Sequence, residues 1–119
     1  MLYVSYIYDI IKFVKSIRIH KKVSKELEKL DFSMKRRLAE LFAVLSEGEN
    51  LGMPVSRPIP IIAHGVHELR VKDHAGQYRV FYYTRKADAI LVFHFFKKKT
   101  QETPSQEIET ATGRLKEML

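Results

Sequence analysis

The chain has no cysteine, which excludes disulfides, thiolate metal sites and thiol nucleophiles and fits a reducing, cytoplasmic compartment. No apolar run is long enough to span a bilayer. The apolar start, residues 1–14, is interrupted by Asp9 and Lys12. It also lacks a basic leading segment and a small-residue cleavage site, so neither a membrane span nor a signal peptide is expected. Proline and glycine are scarce, at four and five residues, and three of each fall within 48–65. Metal-ligand spacing is absent too. His64 and His67 are three apart without a carboxylate pair beside them, so no metal and no cofactor is expected. Acidic residues are outnumbered, 14 against 21 lysines and arginines, for a net charge of +7. The excess lies in residues 12–100, whereas 101–119 are slightly acidic. A basic body with an acidic tail points to a polyanion or an acidic protein partner, with plain solubility as the alternative.

At 119 residues the chain is long enough for one core and too short for two, so a single domain over 1–119 is expected. Residues 1–11 have no clear period and read as an N-terminal extension. Residues 12–20 alternate as a strand does. From Lys21 the period becomes helical, with Val23, Leu27 and Leu30 on one face. Asp31 or Ser33 can cap a second helix carrying Leu38, Leu41, Phe42 and Leu45, and Gly48 is suited to a left-handed C-terminal cap. Residues 48–65 show no regular pattern and read as a long loop, a feature that is often functional. Three strands follow. The first puts His67, Leu69 and Val71 on one face and Glu68, Arg70 and Lys72 on the other. Residues 78–84 and 90–96 are apolar on both faces, as expected of covered central strands. Thr103-Pro104-Ser105-Gln106 has the pattern of a capping box opening a last helix, with Ile108, Ala111 and Leu115 as its buried stripe. The order strand, two helices, three-strand meander and C-terminal helix gives an α+β fold, one sheet backed by two helices.

Two aromatic-rich strands carry cations, Arg79 on one and Lys97 to Lys99 at the end of the other. Across adjacent strands these could form a phosphate site. Arg79 or Arg70 could equally be paired with Glu68, and the lysines could be a solvated strand end. His94, among phenylalanines, is either a packed core histidine or an acid–base group. Other acid–base candidates are Tyr78, Tyr82, Glu68, His64, His67 and His74. Lys35, Arg36 and Arg37 read as a solvated helix face that could also hold RNA.

Glu68-Leu69-Arg70, Tyr78-Arg79-Val80-Phe81-Tyr82 and above all Phe96-Lys97-Lys98-Lys99-Thr100-Gln101-x-Thr103-Pro104, then Glu107-Ile108 and Ala111, resemble the phage-related, HigB-type branch of the RelE/ParE toxin superfamily. The resemblance is close over residues 65–118 and looser over 21–48. It implies a RelE-like fold with a curved, mostly antiparallel sheet. It also implies a toxin that cleaves mRNA without a metal, usually on the ribosome, and is held in check by a cognate antitoxin. By position it transfers RNA contact and transition-state stabilisation to Arg70, Arg79 and Lys97 or Lys98. Apart from that transfer, Lys72, Lys99 and Tyr78 are further RNA-binding candidates. The proton-transfer lysine of the RelE branch is replaced here by Glu68, and the branch's C-terminal tyrosine has no counterpart near Pro104. Two other readings share the fold: a ParE-like poison of DNA gyrase, and an inactive prophage remnant that only binds a partner.

Overall fold

The structure is a computed structural model that describes residues 14–99 and 101–119. The reading of residues 1–11 as an extension lies outside the described residues. The elements are β1 (Ser16–Ile19), α1 (Lys21–Glu28), α2 (Phe32–Ser46), β2 (Ser56–Pro58), β3 (Val66–Asp73), β4 (Gly76–Lys86), β5 (Ala89–Lys98) and α3 (Ser105–Met118). The strands form one sheet in the order β1-β5-β4-β3-β2. Among the described strands only the β1–β5 pair is parallel. This is the expected α+β architecture.

Local chemistry sets the helix ends. The Asp31 carboxylate accepts a hydrogen bond from the Met34 amide at 2.9 Å and caps α2. At its other end Gly48 takes φ 87°, a conformation that glycine adopts without a Cβ clash. His20 caps α1 through Nδ1, which accepts from the Lys22 amide.

The helices lie on both faces of the sheet rather than on one. Val23 of α1 and Met34, Leu38, Leu41, Phe42 and Leu45 of α2 pack on Leu69, Val71, Tyr78, Val80, Tyr82, Ile90, Val92 and Phe95. Ala111 and Leu115 of α3 pack instead with Val66, Phe81, Leu91, Phe93 and Phe96. Burying each large apolar side chain contributes about 1.5–3 kcal/mol, so both layers are held firmly. The central strands are apolar on both faces for this reason.

Three local expectations are corrected. The first strand is only Ser16–Ile19, because Val14 and Lys15 stand outside it and His20 already caps α1. Residues 48–65 are not wholly irregular. Ser56–Pro58 pairs antiparallel with β3 as the edge strand, Arg57 opposite Glu68. Pro58, which has no amide proton, is tolerated at an edge. The capping box does not form. Pro104 is the N-cap residue of α3 with no side-chain cap bond, and the Thr103 hydroxyl is buried without a hydrogen-bond partner among the described residues.

One irregularity sets the geometry of the site. Phe81 pairs with His94, and Tyr82 pairs with Val92, leaving Phe93 without an opposite residue. This β-bulge turns Phe93 and His94 toward the same face. Beyond it, the residues of β5 that face α3 change from odd to even numbers.

Candidate functional site

α3 covers one end of its sheet face, and the other end is open. The register brings Arg57 of β2, Glu68 and Arg70 of β3, and Arg79 of β4 to this open end, with Arg57 opposite Glu68 and Arg70 opposite Arg79. Lys98 joins them opposite Gln77. Together with Lys99, Gln77, Gly76 and Gln101, the cations Arg57, Arg70, Arg79 and Lys98 line a groove of about 670 Å³. A neighbouring cleft of about 300 Å³ shares Arg70, Gln77 and Arg79 and adds Lys72.

A single carboxylate lies under the cations. Glu68 is fully buried, and its Oε1 lies 3.1 Å from Arg57 Nε, 3.6 Å from Arg79 Nε and 4.0 Å from Arg70 Nε. Its Oε2 is buried with no hydrogen-bond partner among the described residues. Arg79 is also buried. Its Nη1 donates to the Tyr78 carbonyl at 3.1 Å and its Nη2 to Gln77 Oε1 at 3.3 Å. Burial lowers the Arg79 pKa, with Glu68 opposing the shift, yet an arginine keeps its charge regardless. Burial also lowers the Lys98 pKa, and Arg79 adds to that effect. Cations from four strands thus face one internal anion, leaving a strongly positive hollow. Such a hollow suits an anion, and arginine forks suit phosphate oxygens.

The other sequence candidates lie elsewhere. Lys97 pairs with Tyr78, so it sits on the α1–α2 face of the sheet, and it does not line the groove. Tyr78 is core, stacked on Phe95 with centroids 5.5 Å apart. Lys35, Arg36 and Arg37 are exposed on α2, which packs on the face opposite the groove; Arg36 is paired with Glu40 at 3.3 Å. Tyr82 is buried with its hydroxyl 2.6 Å from Ser56 Oγ, and His67 stacks on it. His64 and His74 are exposed outside the groove.

His94 binds α3 instead of lining the groove. Its Nε2 is 2.7 Å from Glu107 Oε1, and Arg114 Nη1 lies 3.1 Å from its Nδ1. Because the guanidinium can only donate, Nδ1 accepts and Nε2–H donates to Glu107. Burial holds its pKa low, against the pull of Glu107. A second such link, His20 Nε2 to Glu117 Oε2 at 2.7 Å, fastens the far end of α3.

Sequence reasoning missed Arg57. Its signal was an arginine within the long 48–65 segment, but the register that aims it at Glu68 is not readable from spacing. One further cluster, Asp31, Asp73 and His74, brings three potential metal ligands together. Both carboxylates there already accept backbone amides.

The family described as Phage derived protein Gp49-like (DUF891) matches residues 25–116. The chain belongs to that family. The Gp49-like proteins are a RelE-like toxin family, and the matched stretch contains every residue of the groove. A comparison with curated proteins finds no match. No helix among the described residues of this Gp49-like chain is long and apolar enough to cross a membrane.

Proposed function

We propose that this Gp49-like protein is the toxin of a toxin–antitoxin pair and an mRNA endonuclease of HigB type, acting on or near the ribosome in the cytoplasm. The observation that carries this reading is the convergence of Arg57, Arg70, Arg79 and Lys98 on one open groove around a single buried carboxylate.

The reaction needs no metal. The 2′-oxygen of a ribose attacks the adjacent phosphorus, and the bond to the 5′-oxygen breaks, leaving a 2′,3′-cyclic phosphate and a 5′-hydroxyl. The arginines stabilise the extra charge on the phosphorane, and one well-aimed donor contributes roughly 2.7–4 kcal/mol. We assign Lys98, the groove ammonium whose proton is loosened by burial and by Arg79, to protonate the leaving oxygen. The 2′ proton passes to water in the open groove. A small antitoxin encoded alongside would hold the activity in check.

Induction of the protein followed by mapping of mRNA 5′ ends tests the reading, together with incubation of purified protein and single-stranded RNA in a chelator. New 5′-hydroxyl ends are expected in both. Intact RNA alongside trapped gyrase–DNA breaks would replace this reading with the ParE-like one. Intact RNA and DNA with no growth defect would leave the inactive remnant.

A further inference from the structure

Three guanidinium groups converge on one oxygen: Arg57 is hydrogen-bonded to it, Arg79 Nε lies beside it without a hydrogen bond, and Arg70 is in ion-pair range. Arg57, Arg79 and Arg70 all approach Glu68 Oε1 through Nε, at 3.1, 3.6 and 4.0 Å. The Nη ends differ. Those of Arg79 are taken up by the Tyr78 carbonyl and Gln77. Those of Arg57 and Arg70 have no acceptor among the described residues, and these side chains are 43% and 30% exposed. Arg79 is therefore the fixed floor of the groove, while Arg57 and Arg70 are its accessible arms. Glu68 is completely buried, and its second oxygen is unpartnered. A lone carboxylate so placed can neutralise only a fraction of the charge around it. It can still fix where the Arg57 guanidinium plane lies, because its charge-assisted bond to Nε leaves the Nη pair free to grip an anion, and from 4.0 Å it draws Arg70 toward the same point.

We propose that Glu68 is a positioning residue that holds Arg57 and Arg70 as a two-armed clamp for one backbone phosphate of the bound strand, which makes Arg57 a binding residue. This rests on the reading of the groove as an RNA-phosphate site. It goes beyond that reading by giving the buried acid and the edge-strand arginine distinct tasks. Arg57 sits on a three-residue strand, and among the described residues Glu68 is the acceptor that keeps its long side chain over the groove.

The test compares wild type with Glu68→Gln, Arg57→Ala and Arg57→Lys. Three measurements are made: the arginine Nε–H NMR signals of the free protein, the salt dependence of binding to a 2′-O-methyl RNA oligomer that cannot be cleaved, and the cleavage rate of the matching unmodified RNA. The Arg57 Nε–H signal should be protected in wild type and lost in Glu68→Gln. That variant should bind the methylated oligomer at least as tightly, since a negative charge has gone, yet cleave about 100-fold more slowly, the typical cost of a misplaced contact. Arg57→Ala should flatten the log–log salt slope by about 0.7, the share of one phosphate contact on a single strand. Arg57→Lys should keep the slope and lose at least about tenfold in cleavage.

An unchanged Arg57 signal in Glu68→Gln would overturn the proposal. So would binding and cleavage that fall together in proportion to the folded fraction in urea, which marks a purely structural role. If wild type neither binds nor cleaves RNA, the functional reading falls on its own. The clamp is then decided with inorganic phosphate: shifts of the Arg57 and Arg70 signals in wild type, with the Arg70 shift weakened in Arg57→Ala, uphold it, and their absence overturns it.

Discussion

Arg70 and Arg79 stand directly opposite each other in the β3–β4 register, two like charges on one face of the sheet. Such a pair is destabilising by itself. It is tolerated because Glu68, the diagonal neighbour of Arg79, lies within 4.0 Å of both. Removing that carboxylate should expose the repulsion. Glu68→Ala is expected to lose about 3 kcal/mol, the scale for breaking a buried charge pair. Added sulfate should restore part of the loss by occupying the vacated centre. Urea melts with and without sulfate check this. A variant as stable as wild type and indifferent to sulfate would contradict it.

Arg79 and Arg57 should separate stability from binding. Arg79 is 3% exposed, so Arg79→Ala should cost about 3 kcal/mol, and loss of activity in that variant is confounded by folding. Arg57 is partly exposed, and Arg57→Ala should cost less, about 1–2 kcal/mol for leaving buried Glu68 without its hydrogen bond, while weakening RNA binding. Equal urea midpoints for the two variants would argue against the buried-floor description.

RNA affinity should fall steeply with salt. Three to five phosphate contacts, from Arg57, Arg70, Lys98, Lys99 and Lys72, imply a slope of log affinity against log salt of about −2 to −3.5. Filter binding of a single-stranded RNA between low and physiological salt measures it. A flat response would remove the phosphate contacts.

Stability should decline as the solution becomes mildly acidic. Burial holds the pKa of His94 below 6.5, partly opposed by Glu107, and burial does the same to His67. The unfolded chain therefore binds protons first. The contribution is complete above about pH 6.5 and is lost as pH falls toward the depressed folded values. Denaturation midpoints at about pH 8 and 5.5 should show the decline, and His94→Gln should flatten it without abolishing the part due to His67. An identical pH dependence in His94→Gln would show that His94 does not titrate in this window.

The parts legible in the sequence were those set by local rules. The Val23 and Leu38 stripes gave both helices, Asp31 and Gly48 their limits, and the apolar runs around Phe81 and Phe93 the central strands. The parts that escaped depend on pairing at a distance. β2 is three residues beside prolines, too short to show a period, and it becomes a strand only because Arg57 and its neighbours meet β3. Thr103 has the right spacing for a cap, but Pro104 takes the N-cap position of α3 instead. His94 looked ambiguous because its partners, Glu107 and Arg114, lie on a helix whose sheet face no spacing rule decides.

The bulge at Phe93 works as a phase shifter. Because one residue of β5 goes unmatched, the strand leaves it with its parity reversed, and Lys98 rather than Lys97 turns to the groove. Deleting that one position would preserve all three lysines and almost the whole composition, yet swing Lys98 under the opposite helices. The positive charge of this hollow is thus written partly in the count of residues along a strand, which makes a single-residue deletion there more damaging than most substitutions.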